Sequence, residues 1–309
     1  MENIFKIKNV CKTYKNGVQA NNNICLNIDK GEIFGLFGPN GAGKTTLIKQ
    51  ITTLIKPTSG TIDIFGKDLY ENIPLAINNI SYLGQATAAF STYRFEDVIL
   101  HAGMHRGLSK KETIKQTNYL IDRFNMNKKR KRLRYQLSGG ERKLSMLLAT
   151  FIGNNPILIL DEPTNQLDPR HRAKVWQYLI ELNKEQNTTI VLVTHNVIEA
   201  ENVINRVAII DDGKICANGS QGELKKQVSD EVKIIVTFKG QVDLSNIKNE
   251  YKQIQKDKYC IYTDSSNMSV VFDSLVKSVG LTKIDDFRVT TPTLEDVYTK
   301  LTRREWDGK

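Results

Sequence analysis

The chain has 309 residues, 40% of them hydrophobic and 25% charged, with four cysteines and a formal net charge of +10. That length allows about two domains with a sizeable core, and the composition is that of a globular protein rather than a fibrous or disordered one. No apolar run approaches a membrane span, and the first residues lack the basic and apolar regions of a signal peptide. The scattered Cys11, Cys25, Cys216 and Cys260 form no C-x-x-C pair, so buried, reduced thiols in a cytosolic protein are expected.

Residues 1 to about 30 alternate short β-like runs with turns. Glu32 to Phe37 reads as a buried strand, and it enters Gly38-Pro39-Asn40-Gly41-Ala42-Gly43-Lys44-Thr45, which matches G-x-x-x-x-G-K-[ST] at every fixed position. The glycines let the backbone curl so that successive N–H groups face a phosphate. Lys44 can neutralise the β/γ-phosphates and the Thr45 hydroxyl can ligate Mg²⁺. Thr46 to Ile51 reads as the helix leaving the loop, its N-terminal dipole adding to the anion site. Thr61 to Gly66 reads as a strand ending in a turn, and residues 95 to 135 carry a helical pattern.

Lys128 to Arg134 holds six cations. Nucleic-acid or anionic-lipid contact is one reading; a solvated helix end is preferred. Ser138-Gly139-Gly140 stands before an amphipathic helix over 141–153 and makes a second anion-binding helix start. One nucleotide does not need two such sites from one subunit, so the second is best used on a nucleotide held by another subunit. The apolar strand 157–160 ends in Asp161 and Glu162. At the carboxyl edge of a parallel sheet Asp161 can hold Mg²⁺ through its water shell, and Glu162 can take a proton from, or orient, an attacking water. Further strands at 189–193 and 207–211, separated by helical stretches, imply a parallel sheet covered on both faces. Near 229 the pattern changes to alternation at 232–238 and 259–263 with a helix over 268–279, which reads as a small α+β appendage. From Asp230 onward the chain has 13 Lys/Arg and 13 Asp/Glu, so the whole charge excess lies before it. That excess suits nucleotide phosphates, an anionic membrane leaflet or nucleic acid, and does not choose among them.

Five motifs follow one another in order: the phosphate loop, Leu137 to Glu141, the acidic strand to Glu162, Asn165-Gln166-Leu167-Asp168, and Thr194-His195. In this the chain resembles the ATP-binding-cassette (ABC) ATPases over about residues 2 to 225. The resemblance implies the P-loop NTPase ABC ATPase fold, α/β, over 1–229. It has a β subdomain and a helical subdomain at about 86–136, with the α+β appendage at 230–309. It implies ATP and Mg²⁺ as cofactors, held by Gly38 to Thr46 with Ser138, Gly139 and Gly140 of a second subunit. By the same resemblance Tyr14 stacks on adenine, Gln85 senses Mg²⁺ and the attacking water, His195 contacts the γ-phosphate, and Asp168 lies at the dimer seam. Glu162, His195, Gln85 and Lys44 would carry catalysis; Thr45, Gln85 and Asp161 would face the metal. The sequence departs from the common pattern at Glu141-Arg142, at Asn165-Gln166, and at Asn21, where a leucine is common.

The tail Pro292-Thr293-Leu294-Glu295-Asp296-Val297-Tyr298 resembles the ending of ATPases of the ABC-2 export type. It also reads as a terminal helix capped by Thr293. The resulting expectation is the ATPase subunit of an exporter at the cytoplasmic face of the cell membrane. It would drive a separate transmembrane permease by ATP-dependent closure of a homodimer or of a pair with a paralogue. The alternative is a non-transport ABC ATPase acting on nucleic acid or ribosomes. Ribosome-associated members usually carry two cassettes in one chain and repair members a long coiled coil, so no nucleic-acid partner is expected.

Overall fold

The computed structural model describes residues 2–84, 90–194, 197–228, 231–240, 242, 244, 247 and 249–302. It divides into two compact units, Met1–Ser220 and Gln221–Glu305. The first unit begins with β1 (Asn3–Thr13), β2 (Gln19–Asp29), β3 (Ile33–Phe37), α1 (Lys44–Ile51), β4 (Ser59–Ile64), β5 (Lys67–Asp68), α2 (Ile73–Asn79) and β6 (Ile80–Leu83). The helical stretch α3 (Phe95–His105), α4 (Lys110–Arg123) and α5 (Gly139–Phe151) follows. The unit ends with β7 (Ile157–Asp161), α6 (Pro169–Gln186), β8 (Thr189–Val193), α7 (Val197–Glu201), β9 (Arg206–Asp211) and β10 (Lys214–Ser220).

Strands β2-β1-β4-β5 form an antiparallel sheet. A six-stranded sheet runs β10-β9-β3-β8-β7-β6. Its pairs from β9 to β6 are all parallel, as the apolar strand pattern implies. Strands β3, β7 and β8 are buried at every residue, which is why they read as unbroken apolar runs rather than alternating ones. The edge strand β10 departs from the parallel expectation and pairs antiparallel with β9. The cause is local: the connection is Asp212-Gly213, with φ of 46° and 73°, a two-residue turn that can only fold the chain back on itself.

One apolar core joins the two sheets around α1. Leu47, Ile48 and Ile51 pack with Phe34, Leu36, Ile159 and Val193 on one side and Phe5, Ile7 and Ile62 on the other. Each such side chain contributes about 1.5–3 kcal/mol by burial. The parallel register aligns the strand ends, with Leu36 and Asp161 both partnered to Val193. The loops after β3, β7 and β8 therefore leave from one edge.

Helices α3 and α5 are fastened at a helix end. Arg106, just past α3, donates from Nη1 to the carbonyls of Ala149 and Ile152, both at 2.6 Å, and so closes the C-terminus of α5. Burial pushes the Arg106 guanidinium down to about 10. The basic run is only in part the solvated helix end expected from sequence. Lys129 pairs with Glu141 at 2.9 Å, Arg130 with Glu96 at 2.7 Å, and Arg134 is wholly buried with Nε donating to Ser145 Oγ at 2.9 Å. These three cations have partners within the unit, while Lys128, Lys131 and Arg132 are exposed. The thiols also differ from expectation: all four are free, but only Cys260 is buried, while Cys25 and Cys216 are exposed.

The second unit comprises α8 (Gln221–Val228), β11 (Glu231–Phe238), β12 (Tyr251–Gln255), β13 (Lys258–Asp264), α9 (Met268–Val279), β14 (Ile284–Thr290) and α10 (Leu294–Thr302). Its antiparallel sheet runs β12-β13-β11-β14. The alternation along β11 puts Val232, Ile234, Val236 and Phe238 inside, and the i, i+4, i+8 set Val271, Leu275 and Val279 of α9 is buried too. Thr293 caps α10: its hydroxyl accepts from the Asp296 N–H at 3.2 Å, and the Asp296 carboxylate accepts from the Thr293 N–H at 2.7 Å. The unit begins at Gln221, so α8 belongs with it and packs on α10.

Arg106→Ala strands two carbonyls at the end of α5. It should lower stability by about 2 kcal/mol, read as a lower urea midpoint at unchanged slope.

Candidate functional site

The loop between β3 and α1 is shaped by left-handed glycines. Gly38, Gly41 and Gly43 have φ of 151°, 82° and 103°. A Cβ on Gly38 would stand 2.0 Å from the Ile210 carbonyl oxygen, and one on Gly43 would stand 2.2 Å from that of Ala20. Nothing lies within 4 Å of the position a Cβ would take at Gly41. The loop is thus closed against its own protein at two glycines and open at the third. Helix α1 starts after Gly43 without a side-chain cap, so no side chain satisfies its first N–H groups.

Lys44 is buried and curls over the loop, its Nζ donating to the carbonyls of Gly38 at 2.6 Å and Pro39 at 2.8 Å. Burial pushes its ammonium below the ordinary lysine value, against the opposing pull of Glu162 and Asp161. Asn21, read from sequence only as a departure, is fully buried and braces the loop by donating to the Gly43 carbonyl at 3.1 Å. The Gly213 N–H donates to the Ala42 carbonyl at 3.0 Å from the other side.

Asp161 ends β7, wholly buried. Glu162 follows in a left-handed conformation, φ 51°, a strained choice for a side chain with a Cβ. Its N–H donates to the Val193 carbonyl at 2.8 Å, and its carboxylate accepts from the Thr194 hydroxyl at 3.0 Å. A residue missed from sequence completes this cluster. Lys143, on the buried side of α5, donates from Nζ to the Asp161 carbonyl at 3.4 Å. Burial pushes its ammonium down, while Asp161 and Glu162 act the other way. The two carboxylates therefore sit in the field of two buried lysines, as buried charges require. A lysine among Leu144, Leu147 and Leu148 was the available signal.

Helix α5 starts at Ser138, whose hydroxyl accepts from the Glu141 N–H at 3.2 Å while the Glu141 carboxylate accepts from the Ser138 N–H at 2.9 Å. Ser138 is exposed. Gly140 is needed for packing: a Cβ there would lie 2.5 Å from the Gln166 carbonyl oxygen. Asp168 caps α6, accepting from the Arg170 and His171 N–H groups at 3.0 and 3.1 Å, and meets His171 Nδ1 at 2.6 Å. The His171 contact outweighs a smaller burial effect and holds Asp168 below the usual carboxylate range.

Tyr14 lines an open recess of about 630 Å³ with Lys12, Thr13, Lys15, Asn16 and Val18. Its hydroxyl lies 3.2 Å from the Thr46 hydroxyl, tying the recess to the start of α1. Pro39, Asn40 and Thr45 lie on the loop itself, at its partly open surface. The structure thus brings Gly38 to Thr46, Asp161 and Glu162 to one sheet edge, with Tyr14 beside α1. Gln85 and His195 lie outside the described residues.

A phosphate-binding loop before an uncapped helix, with a carboxylate pair on the neighbouring strand end, defines a P-loop nucleotide hydrolase of the parallel-sheet kind. Residues 21–165 match the family model for ABC transporters. The chain is 34% identical over 217 residues to the daunorubicin/doxorubicin resistance ATP-binding protein DrrA of Streptomyces peucetius, spanning 70% of this chain and 66% of that protein. It is 32% identical to the methionine import ATP-binding protein MetN of Ligilactobacillus salivarius, over 91% of this chain and 84% of that protein. Among solved structures, the cassette MJ0796, as a dimer in a post-hydrolysis state bound to ADP and Pi, is similar at a TM-score of 0.65. That match is 28% identical and covers 70% of this chain and 98% of the other. The chain belongs to the ABC transporter family, as an ATP-hydrolysing cassette of the P-loop fold.

Gly43→Ala forces a Cβ into the Ala20 carbonyl at a left-handed position. It should weaken ATP binding more than roughly tenfold in an equilibrium titration, with an unchanged circular dichroism spectrum. Because the folded Asp168 is held low, its contribution is present at neutral pH and is lost as pH falls through the folded value. The melting-temperature gap between wild type and Asp168→Asn should close below about pH 4.

Proposed function

We propose that this chain is the motor subunit of an ABC exporter, closing as a dimer on ATP and driving a separate membrane-spanning permease. The observation that carries the reading is the pairing of two unlike helix starts. One, at α1, opens onto the chain's own phosphate loop. The other, at α5, presents an exposed Ser138, in keeping with a nucleotide held by a partner subunit. Gly38 to Thr46 would hold the phosphates, Tyr14 the adenine, and Ser138, Gly139 and Gly140 the γ-phosphate across the seam. Lys44 would exchange its two loop carbonyls for phosphate oxygens. Glu162, aimed by its left-handed backbone and by Thr194, would position and deprotonate the attacking water.

Among the described residues no three His, Cys, Asp or Glu side chains gather into a metal site. A cation here would take its remaining ligands from phosphate and water, which suits Mg²⁺. Thr45 and Asp161 would face it, and it would neutralise charge on the phosphates. Gln85 and His195 are assigned to the metal and the γ-phosphate on motif position alone.

No described helix is long and apolar enough to cross a membrane, which fits a chain that acts on a separate permease. A recess of about 240 Å³ on α3 and α5, lined by residues such as Tyr82, Tyr93, His101 and Met146, would receive a cytoplasmic segment of that permease. Relatives named for drug resistance and for methionine import match at similar identity. Export is therefore supported by the tail sequence, which here forms the capped helix α10.

Glu162→Gln should bind ATP normally and lose turnover by at least about a hundredfold, whereas Lys44→Ala should lose binding itself. Retained steady-state hydrolysis by Glu162→Gln would remove Glu162 from the mechanism. Affinity purification of Glu162→Gln from detergent-solubilised membranes in ATP should bring a multi-span membrane protein at near-equal amount. Ribosomes or nucleic acid in its place would overturn the transporter reading.

A further inference from the structure

The two helix starts differ in charge. Helix α1 has no acidic residue in its first turn, whereas α5 has Glu141. A first-turn glutamate stabilises its own helix through the dipole and the capping box. It also sets a negative charge beside the Gly139 and Gly140 amides, where a polyanion is proposed to bind. Burial pushes the Glu141 carboxyl up, but the Ser138 N–H and the Lys129 ammonium outweigh it, and the group is held below its ordinary value. It is therefore ionised at neutral pH.

Lys129 meets that charge directly, with Nζ 2.9 Å from Glu141 Oε1. Its backbone is pinned. The Lys129 N–H donates to the Met126 carbonyl at 2.9 Å, and its own carbonyl accepts from Arg132 at 2.9 Å. Its neighbour Arg130 is anchored at 2.7 Å to Glu96 and at 2.9 Å to Asn118. The lysine thus stands at a fixed place beside the start of α5, half-exposed, where a new anion could approach.

We infer that Lys129 is a positioning residue of the α5 anion site, cancelling the charge of Glu141 so that the helix start keeps a net attraction for the γ-phosphate of a nucleotide held by the partner subunit. This rests on the partner-held reading given above. An ordinary surface ion pair contributes little to stability, and a purely structural Lys129 would affect only that. Charge cancellation makes a different demand: removing the lysine should weaken the site only while Glu141 remains negative.

The test uses full-length protein in the Glu162→Gln background, with ATP-driven dimerisation followed by sedimentation velocity across an ATP titration. Lys129→Ala should raise the half-maximal ATP concentration by roughly three- to tenfold, the size of a helix-terminus charge effect. Adding Glu141→Gln should return it to the parent value, and Lys129→Arg should leave it unshifted. With Glu162 restored, Lys129→Ala should raise KM for ATP and leave kcat unchanged. A midpoint unmoved by Lys129→Ala, or a shift that persists in the Lys129→Ala/Glu141→Gln double variant, would overturn the inference alone. If the Glu162→Gln parent forms no ATP-dependent dimer, the partner-held reading fails and takes the inference with it.

Discussion

A helix leaves its first backbone N–H groups without partners, and much of this chain is arranged around how two helices meet that requirement. At α1 no side chain caps the groups, and Gly43 turns the chain into the helix at φ 103°. At α5 the same need is met from within by Ser138 and Glu141. An uncapped start costs about 1 kcal/mol of helix stability, which the Leu47, Ile48 and Ile51 core of α1 readily offsets. A start that is already capped can only take a ligand as an added partner, at the Gly139 and Gly140 amides that the capping box does not use. The first start leaves room for an anion as its first partner; the second can take one only beside its own cap.

The carboxylate edge after β7 depends likewise on strain and burial. Glu162 and Gln166 both lie in the left-handed region, at φ 51° and 69°, where a residue with a Cβ is disfavoured by roughly 1–2 kcal/mol. Both flank the turn that leaves β7. Strands β3, β7 and β8, buried at every residue, supply the rigidity that holds such a turn. The Glu162 N–H on the Val193 carbonyl makes the neighbouring strand part of the turn. Strain of this kind aims a carboxylate at a fixed point, since the backbone has no relaxed alternative while the sheet stays paired.

What could be read from the sequence was what is encoded locally. The phosphate loop is a contiguous spacing, and the parallel strands announce themselves because both faces are covered and polar residues are excluded. What could not be read depends on residues far apart in the chain. Arg134 carries a sequence that looks solvated, yet it is wholly buried, because Ser145, eleven positions on, offers it a partner. Lys143 drew no reading from sequence, because only the turn of α5 carries it to the Asp161 carbonyl, 18 positions on. Asn21 could be seen only as unusual, since its partner Gly43 lies 22 positions away. The antiparallel β10 was legible after all: Asp212-Gly213 is a hairpin signal, masked by the pattern of strand and helix before it.

Helix α5 is held at both ends by side chains from other parts of the same unit. Arg106 closes its C-terminus from the end of α3, and Lys129 reaches its first turn from the segment after α4. The half-buried guanidinium has two carbonyls at 2.6 Å, so separating α3 from α5 would leave three polar groups without these partners. Unpaired buried groups cost about 1–3 kcal/mol each, more than thermal motion supplies. A force applied to α3 would therefore be resisted by this joint before the two helices could slide past each other. On the proposed reading, α5 would act as a lever that ends at Ser138 and Gly140, and a rotation imposed at the α3 surface would displace the proposed anion site. The buried Lys143, on the same helix, would be carried along, and with it the ammonium that stands beside Asp161. One helix would thus link the proposed permease surface to both proposed ends of the site.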